Sequence, residues 1–158
     1  MQQLWDIEQI KQLKAKYCYY VDEYFEDPAN FDRLMREVFV DDTELDFGEA
    51  GTAQGRAAVE KFFRNVVFGA LSFSQHLVHS PLITFSGPDE AEGKWHFLVP
   101  CTFRAGNVAA WLLGTYHERY VRRGGVWYIQ RLRAKFFSMT PFDQGWVKVP
   151  NLRAGGRE

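Results

Sequence analysis

Few side chains in this chain could do proton or metal chemistry, and their spacing is informative. Tyr17 and Asp22 stand five residues apart in a run with helical periodicity, about 140° around a helix axis. Tyr17 falls near the centre of the apolar stripe and Asp22 at its edge, beside Val21 and Phe25. Read singly, Tyr17 is a core aromatic and Asp22 a solvated carboxylate near a helix end. His76 and His79 lie in a segment of strand composition, where an odd separation sends two side chains to opposite faces. They make a poor ligand pair for one metal ion, and His96 and His117 add no metal-binding spacing. No metal site is expected, and His76 alone reads as a structural histidine. The chain also lacks a G-x-S-x-G elbow, a phosphate loop and a dinucleotide fingerprint.

The elements that must position these residues follow from periodicity. Asp6, three residues before Gln9, resembles a capping box, and Ile7, Ile10, Leu13, Tyr17, Val21 and Phe25 then recur at helical spacing. Asp27-Pro28 stops this long first helix. Phe31, Leu34, Met35 and Val38 suit a short second helix before an acidic turn at Asp41-Asp42, and residues 43–47 suit a short strand. After the turn-rich passage 48–55, a third helix runs from Ala57 to Val67. Four strand-like segments follow, at 73–85, 92–104, 108–122 and 126–137, separated by turn residues that include Gly124-Gly125. Helices first and a meander afterwards predict an α+β fold. On the last segment Arg131, Arg133 and Lys135 alternate with Leu132, Ala134 and Phe136, giving a charged outer face; Arg56 is also read as surface. One domain is expected over 1–158, with a core at 4–137 and a tail at 138–158 whose Phe142, Trp146 and Val147 should dock as a lid or a subunit contact.

Composition narrows the partners. The 158 residues carry 19 Lys+Arg against 20 Asp+Glu, a formal net charge of -1 that removes the electrostatic term dominating nucleic-acid binding. Aromatic content is 16%, which fits either an aromatic-lined cavity or a heavily aromatic core or subunit interface. Residues 65–88 carry no formal charge, but Asn65, Gln75, two histidines and several serines interrupt them, so no membrane span is expected. Nothing marks secretion, so the expected location is the cytoplasm, with Cys18 and Cys101 as free thiols.

The run from Asp6 through Tyr17 to Asp22 resembles the opening helix of SnoaL-like proteins in the nuclear transport factor 2-like superfamily. Gly55–Phe63, the His76 segment, and Tyr116–Tyr120 leading to Gly125-Val126-Trp127 sit where that family has its third helix, second strand and last hairpin. The resemblance covers residues 4–137 and implies a cone-shaped α+β barrel, three N-terminal helices against a curved antiparallel sheet. Among the family's cofactor-free eliminating lyases are bile acid 7α-dehydratase, scytalone dehydratase and hexachlorocyclohexane dehydrochlorinase. It implies a helix Asp orienting a strand His, here Asp22 and His76, with a tyrosine at Tyr17. Two polar groups of the bile acid enzyme are replaced, by Val99 and Phe47, and the dehydrochlorinase has a lysine at the position of Tyr17 and an arginine near that of Leu132.

That chemistry suits the residue types. A carboxylate holding an imidazole fixes its tautomer, so His76 could remove a carbon-bound proton while Tyr17 donates to the resulting oxyanion, without any cofactor. Phe47, Phe62, Val99, Leu132 and Phe136 are the expected apolar lining for a steroid, terpenoid or polyketide type of molecule. The expectation is therefore a cofactor-independent lyase or isomerase, assembled as a homodimer or homotrimer. The alternative is a non-catalytic ligand-binding or assembly module, including a small subunit of an aromatic-ring-hydroxylating oxygenase.

Overall fold

Helix α1 (Gln2–Glu23) presents Ile10, Leu13, Lys14, Tyr17, Cys18 and Val21 to the interior, and α2 (Asn30–Glu37) adds Phe31, Leu34 and Met35. Strand β1 (Phe39–Asp46) and the short β2 (Thr52–Gln54) precede α3 (Arg56–Phe62), which continues through a wider π-type turn at Phe63–Val67. Strands β3 (Leu71–Ser74), β4 (Leu77–Gly87), β5 (Glu90–Phe103), β6 (Val108–Arg123) and β7 (Val126–Pro141) complete one seven-stranded sheet. Its order is β2-β1-β7-β6-β5-β3, with β4 also paired to β5. This computed structural model describes residues 1–150; the end of the expected tail, 151–158, lies outside the described residues. Helices packed on a strongly curled sheet make the α+β cone the sequence predicts.

Several local expectations need correction. The sheet is mixed, because β1 runs parallel to β7, with Leu45 beside Leu132. Asp6 caps nothing: α1 starts at Gln2, and the buried Asp6 carboxylate accepts hydrogen bonds from Gln2, Arg122 and the Trp127 indole, each at 3.1 Å. Those tertiary donors replace the free amides a cap would serve. Asp41 and Asp42 lie within β1, not in a turn, and Phe47 lies just past its end. Arg56 is more than a surface residue, since it donates to the main-chain carbonyls of Met35 and Phe39 and pairs with Asp41, tying α3 to the α2–β1 corner. The segment expected at 73–85 is two strands, interrupted at Gln75-His76. Strand β7 runs past Phe137 to Pro141, carried by a register shift opposite Leu113 and Gly114.

Other expectations hold. Gly124 and Gly125 have φ of 57° and 83°, the left-handed pair a two-residue hairpin turn requires. Leu132 and Ala134 are buried while Arg131, Arg133 and Lys135 face out. The expected docking of the tail is not among them: Phe142 approaches Trp111, ring centroids 5.7 Å apart, yet Phe142, Trp146 and Val147 are all exposed.

Gly114 marks the bulge. A Cβ there would collide with the Lys135 carbonyl oxygen and lie 2.6 Å from the Phe97 ring, and a main-chain neighbour cannot swing away. Gly114→Ala is therefore expected to cost about 1–3 kcal/mol, measured by urea unfolding. A wild-type midpoint would show that the β6–β7 bulge relaxes freely.

Candidate functional site

The break between β3 and β4 builds the site. Where the chain leaves the β5 ladder, Asp22 on α1 supplies the missing acceptors. Its Oδ2 accepts the His76 main-chain N–H at 2.6 Å, and its Oδ1 accepts the Ser74 hydroxyl at 2.9 Å and the His76 Nδ1–H at 2.6 Å. An ionised carboxylate can only accept, so Nδ1 carries the hydrogen in this pair, and in the neutral imidazole Nε2 keeps its lone pair. Among the described residues Nε2 has no hydrogen-bond partner. The Asp22 and His76 side chains are only 16% and 8% exposed, so this is neither a solvated carboxylate nor a free surface histidine.

Tyr17 closes the inner side, its ring 5.7 Å from that of His76 and nearly perpendicular to it. Burial holds its hydroxyl well above the ordinary phenol range, so Tyr17 remains a neutral donor. It is 2% exposed and packs edge-on to Phe39, Phe63 and Tyr116. His79 is exposed beside His96, away from the dyad. Among the described residues no group of three or more His, Cys, Asp or Glu is placed to hold a metal ion, and no helix is long and apolar enough to cross a membrane.

Asp22 and His76 open on a recess of about 290 Å³ between α1 and β4, walled by Lys14, Cys18, Leu77, Val78 and Trp95. Tyr17 is not on its surface. The five apolar residues expected around the dyad are elsewhere. Phe47 packs at a tilt against Phe62 and Phe136, ring centroids 5.0 and 6.4 Å away, while Val99 and Leu132 are 2% and 0% exposed in the core. Phe47 and Phe136 line a second recess of about 710 Å³, together with Met139, His117, Arg133 and Lys135, and the dyad is not part of it. Much of the aromatic content therefore fills the cone.

One group escapes the sequence reading. Lys14, 2% exposed, pairs with the fully buried Glu118 at 2.5 Å. Glu118 also accepts from Tyr120, whose hydroxyl receives the Trp95 indole N–H at 2.8 Å. A signal for both charges exists. Lys14 falls in the stripe Ile10-Lys14-Tyr17-Val21, and Glu118 shares strand parity with the inward Tyr116 and Tyr120.

Residues 2–133 match the SnoaL-like domain family. The chain belongs to that family. Solved structures agree in fold. The hexachlorocyclohexane dehydrochlorinase LinA-type3 from Novosphingobium barchaimii is 24% identical over 89% of this chain and 92% of its own, with a TM-score of 0.78. A protein provisionally named scytalone dehydratase from Novosphingobium aromaticivorans is 21% identical over 99% and 97%, at 0.77. A nuclear transport factor 2-like superfamily protein from Salmonella enterica is 15% identical over 87% and 95%, at 0.70. The comparison with curated proteins gave no match. The family match and these neighbours agree on one fold for the chain.

Both thiols of this SnoaL-like chain are free and buried, and burial pushes each up to about 12. Because the thiolate is the reactive form, iodoacetamide at neutral pH should label neither Cys18 nor Cys101 until the protein is unfolded. Mass spectrometry of the native protein checks this, and rapid labelling of Cys18 would mean that the recess opens much wider.

Proposed function

We propose that this SnoaL-like protein is a cofactor-independent lyase or isomerase in which His76 removes a proton activated by a carbonyl group. The observation that carries this reading is the Asp22–His76 pair, an oriented imidazole whose Nε2 has no partner among the described residues, on the wall of a recess. Asp22 fixes the tautomer and steadies the imidazolium that forms. The proposed role of Tyr17 as hydrogen-bond donor to developing oxyanion charge requires the substrate to reach its neutral hydroxyl, which lies against the His76 ring but behind the surface of the recess. The proposed substrate is small and mostly apolar. A volume near 290 Å³ lies at the lower end of about 300–1,000 Å³ for small-molecule sites, which favours a one- or two-ring terpenoid or polyketide over a steroid. Phe47 and Phe136 then belong to the second recess, and Phe62, Val99 and Leu132 to the packed core.

The test is deuterium uptake. Incubated in heavy water with a panel of small enolisable ketones, the protein should exchange the α-hydrogens of at least one. His76→Ala should slow that exchange by about 10²-fold or more, the usual contribution of a positioned base. No exchange with any ketone, or equal exchange by the variant, defeats the reading.

A second reading is an assembly module, favoured by the exposed Phe73, Phe137, Phe142 and Trp146. We propose self-association as a homodimer or homotrimer in either case. A sedimentation profile showing a monomer at micromolar concentration would remove that part.

A further inference from the structure

We propose that Lys14 is the cationic partner of the Asp22–His76 dyad, stabilising negative charge on the oxygen of a small enolisable carbonyl compound held between α1 and β4. The inference rests on the base role given to His76 above.

A buried lysine is costly, and the stripe of α1 that carries it is otherwise apolar or aromatic at Ile10, Leu13, Tyr17 and Val21. Packing alone calls for another apolar side chain there. Instead the ammonium is fixed in place. Lys14 donates to Glu118, and Tyr120 and Trp95 hold Glu118 from behind, so one hydrogen-bonded chain crosses from β5 through β6 to α1. The ammonium has three N–H groups, and Glu118 is its one hydrogen-bonded oxygen among the described residues. Its remaining surroundings are the faces of Tyr116 and Tyr17, with centroids 3.6 and 4.2 Å from Nζ. The N–H groups not bonded to Glu118 meet only these ring faces, at a residue that lines the same recess as Asp22 and His76.

The placement on the helix sets the substrate. Lys14, Cys18 and Asp22 follow one another at four-residue spacing, so Lys14 and Asp22 share one side of α1, about 12 Å apart along its axis at 1.5 Å per residue. Both side chains and the His76 ring occupy part of that length. What remains suits a molecule whose acidic C–H and whose oxygen belong to one short conjugated unit. In the step, His76 Nε2 takes the proton, the C–H electron pair becomes the enolate double bond, and the carbonyl π pair moves onto oxygen beside Lys14. The proton then returns from His76 to another carbon, or leaves with a departing hydroxide as water. Lys14 keeps its own protons throughout. Tyr17 is neutral and lies off the recess surface, whereas Lys14 lines it with a formal positive charge that Glu118 offsets only in part at the position of the substrate oxygen.

The probe for the test is 4-nitrophenol, whose phenolate mimics an enolate oxygen and whose visible absorption reports its ionisation. The wild type should bind the phenolate in preference to the phenol. Lys14→Met combined with Glu118→Gln removes both charges and leaves no buried ion unpaired. This double variant should bind the phenolate at least ten-fold more weakly and hold the probe as neutral phenol. If it fails to fold, Lys14→Gln with Glu118→Gln serves instead. The inference is overturned if the folded variant keeps wild-type affinity for the phenolate, or if the wild type binds only the neutral form or no probe. Loss of ketone exchange in His76→Ala with phenolate binding retained supports both assignments. Phenolate binding that depends on Lys14, in a protein that exchanges no ketone, would leave Lys14 as the anion site and defeat the base role alone.

Discussion

Asp22→Ala is expected to lose about 3 kcal/mol of stability and, with it, the proton exchange assigned to His76. The carboxylate serves three donors at once: the Ser74 hydroxyl, the His76 amide and the His76 ring. On one side of the break Ser74 pairs with Cys101, and on the other Leu77 pairs with Leu98; between them the Gln75 N–H still donates to the Pro100 carbonyl, and Asp22 takes the His76 amide. Truncation leaves part-buried polar groups without partners, at about 1–3 kcal/mol each, offset where water enters the recess. For a chain of this size the thermal midpoint should fall by about 6–12 °C. Asp22→Asn separates the two roles. It keeps the shape but only one acceptor oxygen, which can serve the His76 amide while its NH2 faces the Ser74 hydroxyl and Nδ1, groups able to turn and accept. It should therefore unfold closer to wild type than Asp22→Ala, yet lose the charge that steadies the imidazolium and the tautomer that frees Nε2. Calorimetry and ketone exchange on both variants give the answer. Exchange retained by a folded Asp22→Asn protein would reduce Asp22 to a structural bond.

Glu118→Ala is expected to have an effect at least as large, about 3–5 kcal/mol, because it strands Lys14 without its carboxylate at 2% exposure. Tyr120 loses its acceptor as well. Adding Lys14→Met should restore most of the loss, since removing both ions leaves only the cost of imperfect packing. A double-mutant cycle by denaturant unfolding measures the coupling. Additive losses would mean that the two charges are solvated independently, contrary to their burial.

How much of this was legible beforehand differs by element. Local chemistry fixed much of it: the apolar stripe of α1, the stop at Asp27-Pro28, the Gly124-Gly125 turn and the inside–outside alternation of Leu132 and Ala134 against their charged neighbours. Each depends on a residue and its near neighbours, and no distant partner competes. The pairing of Asp22 with His76 came from family resemblance, since neither residue taken singly pointed to it. Asp6 was misread because a capping box looks the same whether its carboxylate meets helix amides or, as here, Arg122 and Trp127 from the far end of the chain. The break at Gln75-His76 was invisible because strand composition does not record that a helix carboxylate replaces the ladder there.

What the sequence by itself determined is the helix-then-meander order, the faces of the long strands and a near-neutral charge balance. Only the tertiary structure decided which charged groups are buried together and where open space remains. Lys14 and Glu118 are 104 residues apart and meet because the curled sheet closes over α1. The aromatic residues read as a cavity lining pack on one another, and the dyad opens between α1 and β4 instead. Burial and void are properties of the closed packing, set by how distant side chains fill one volume, and no local pattern carries them.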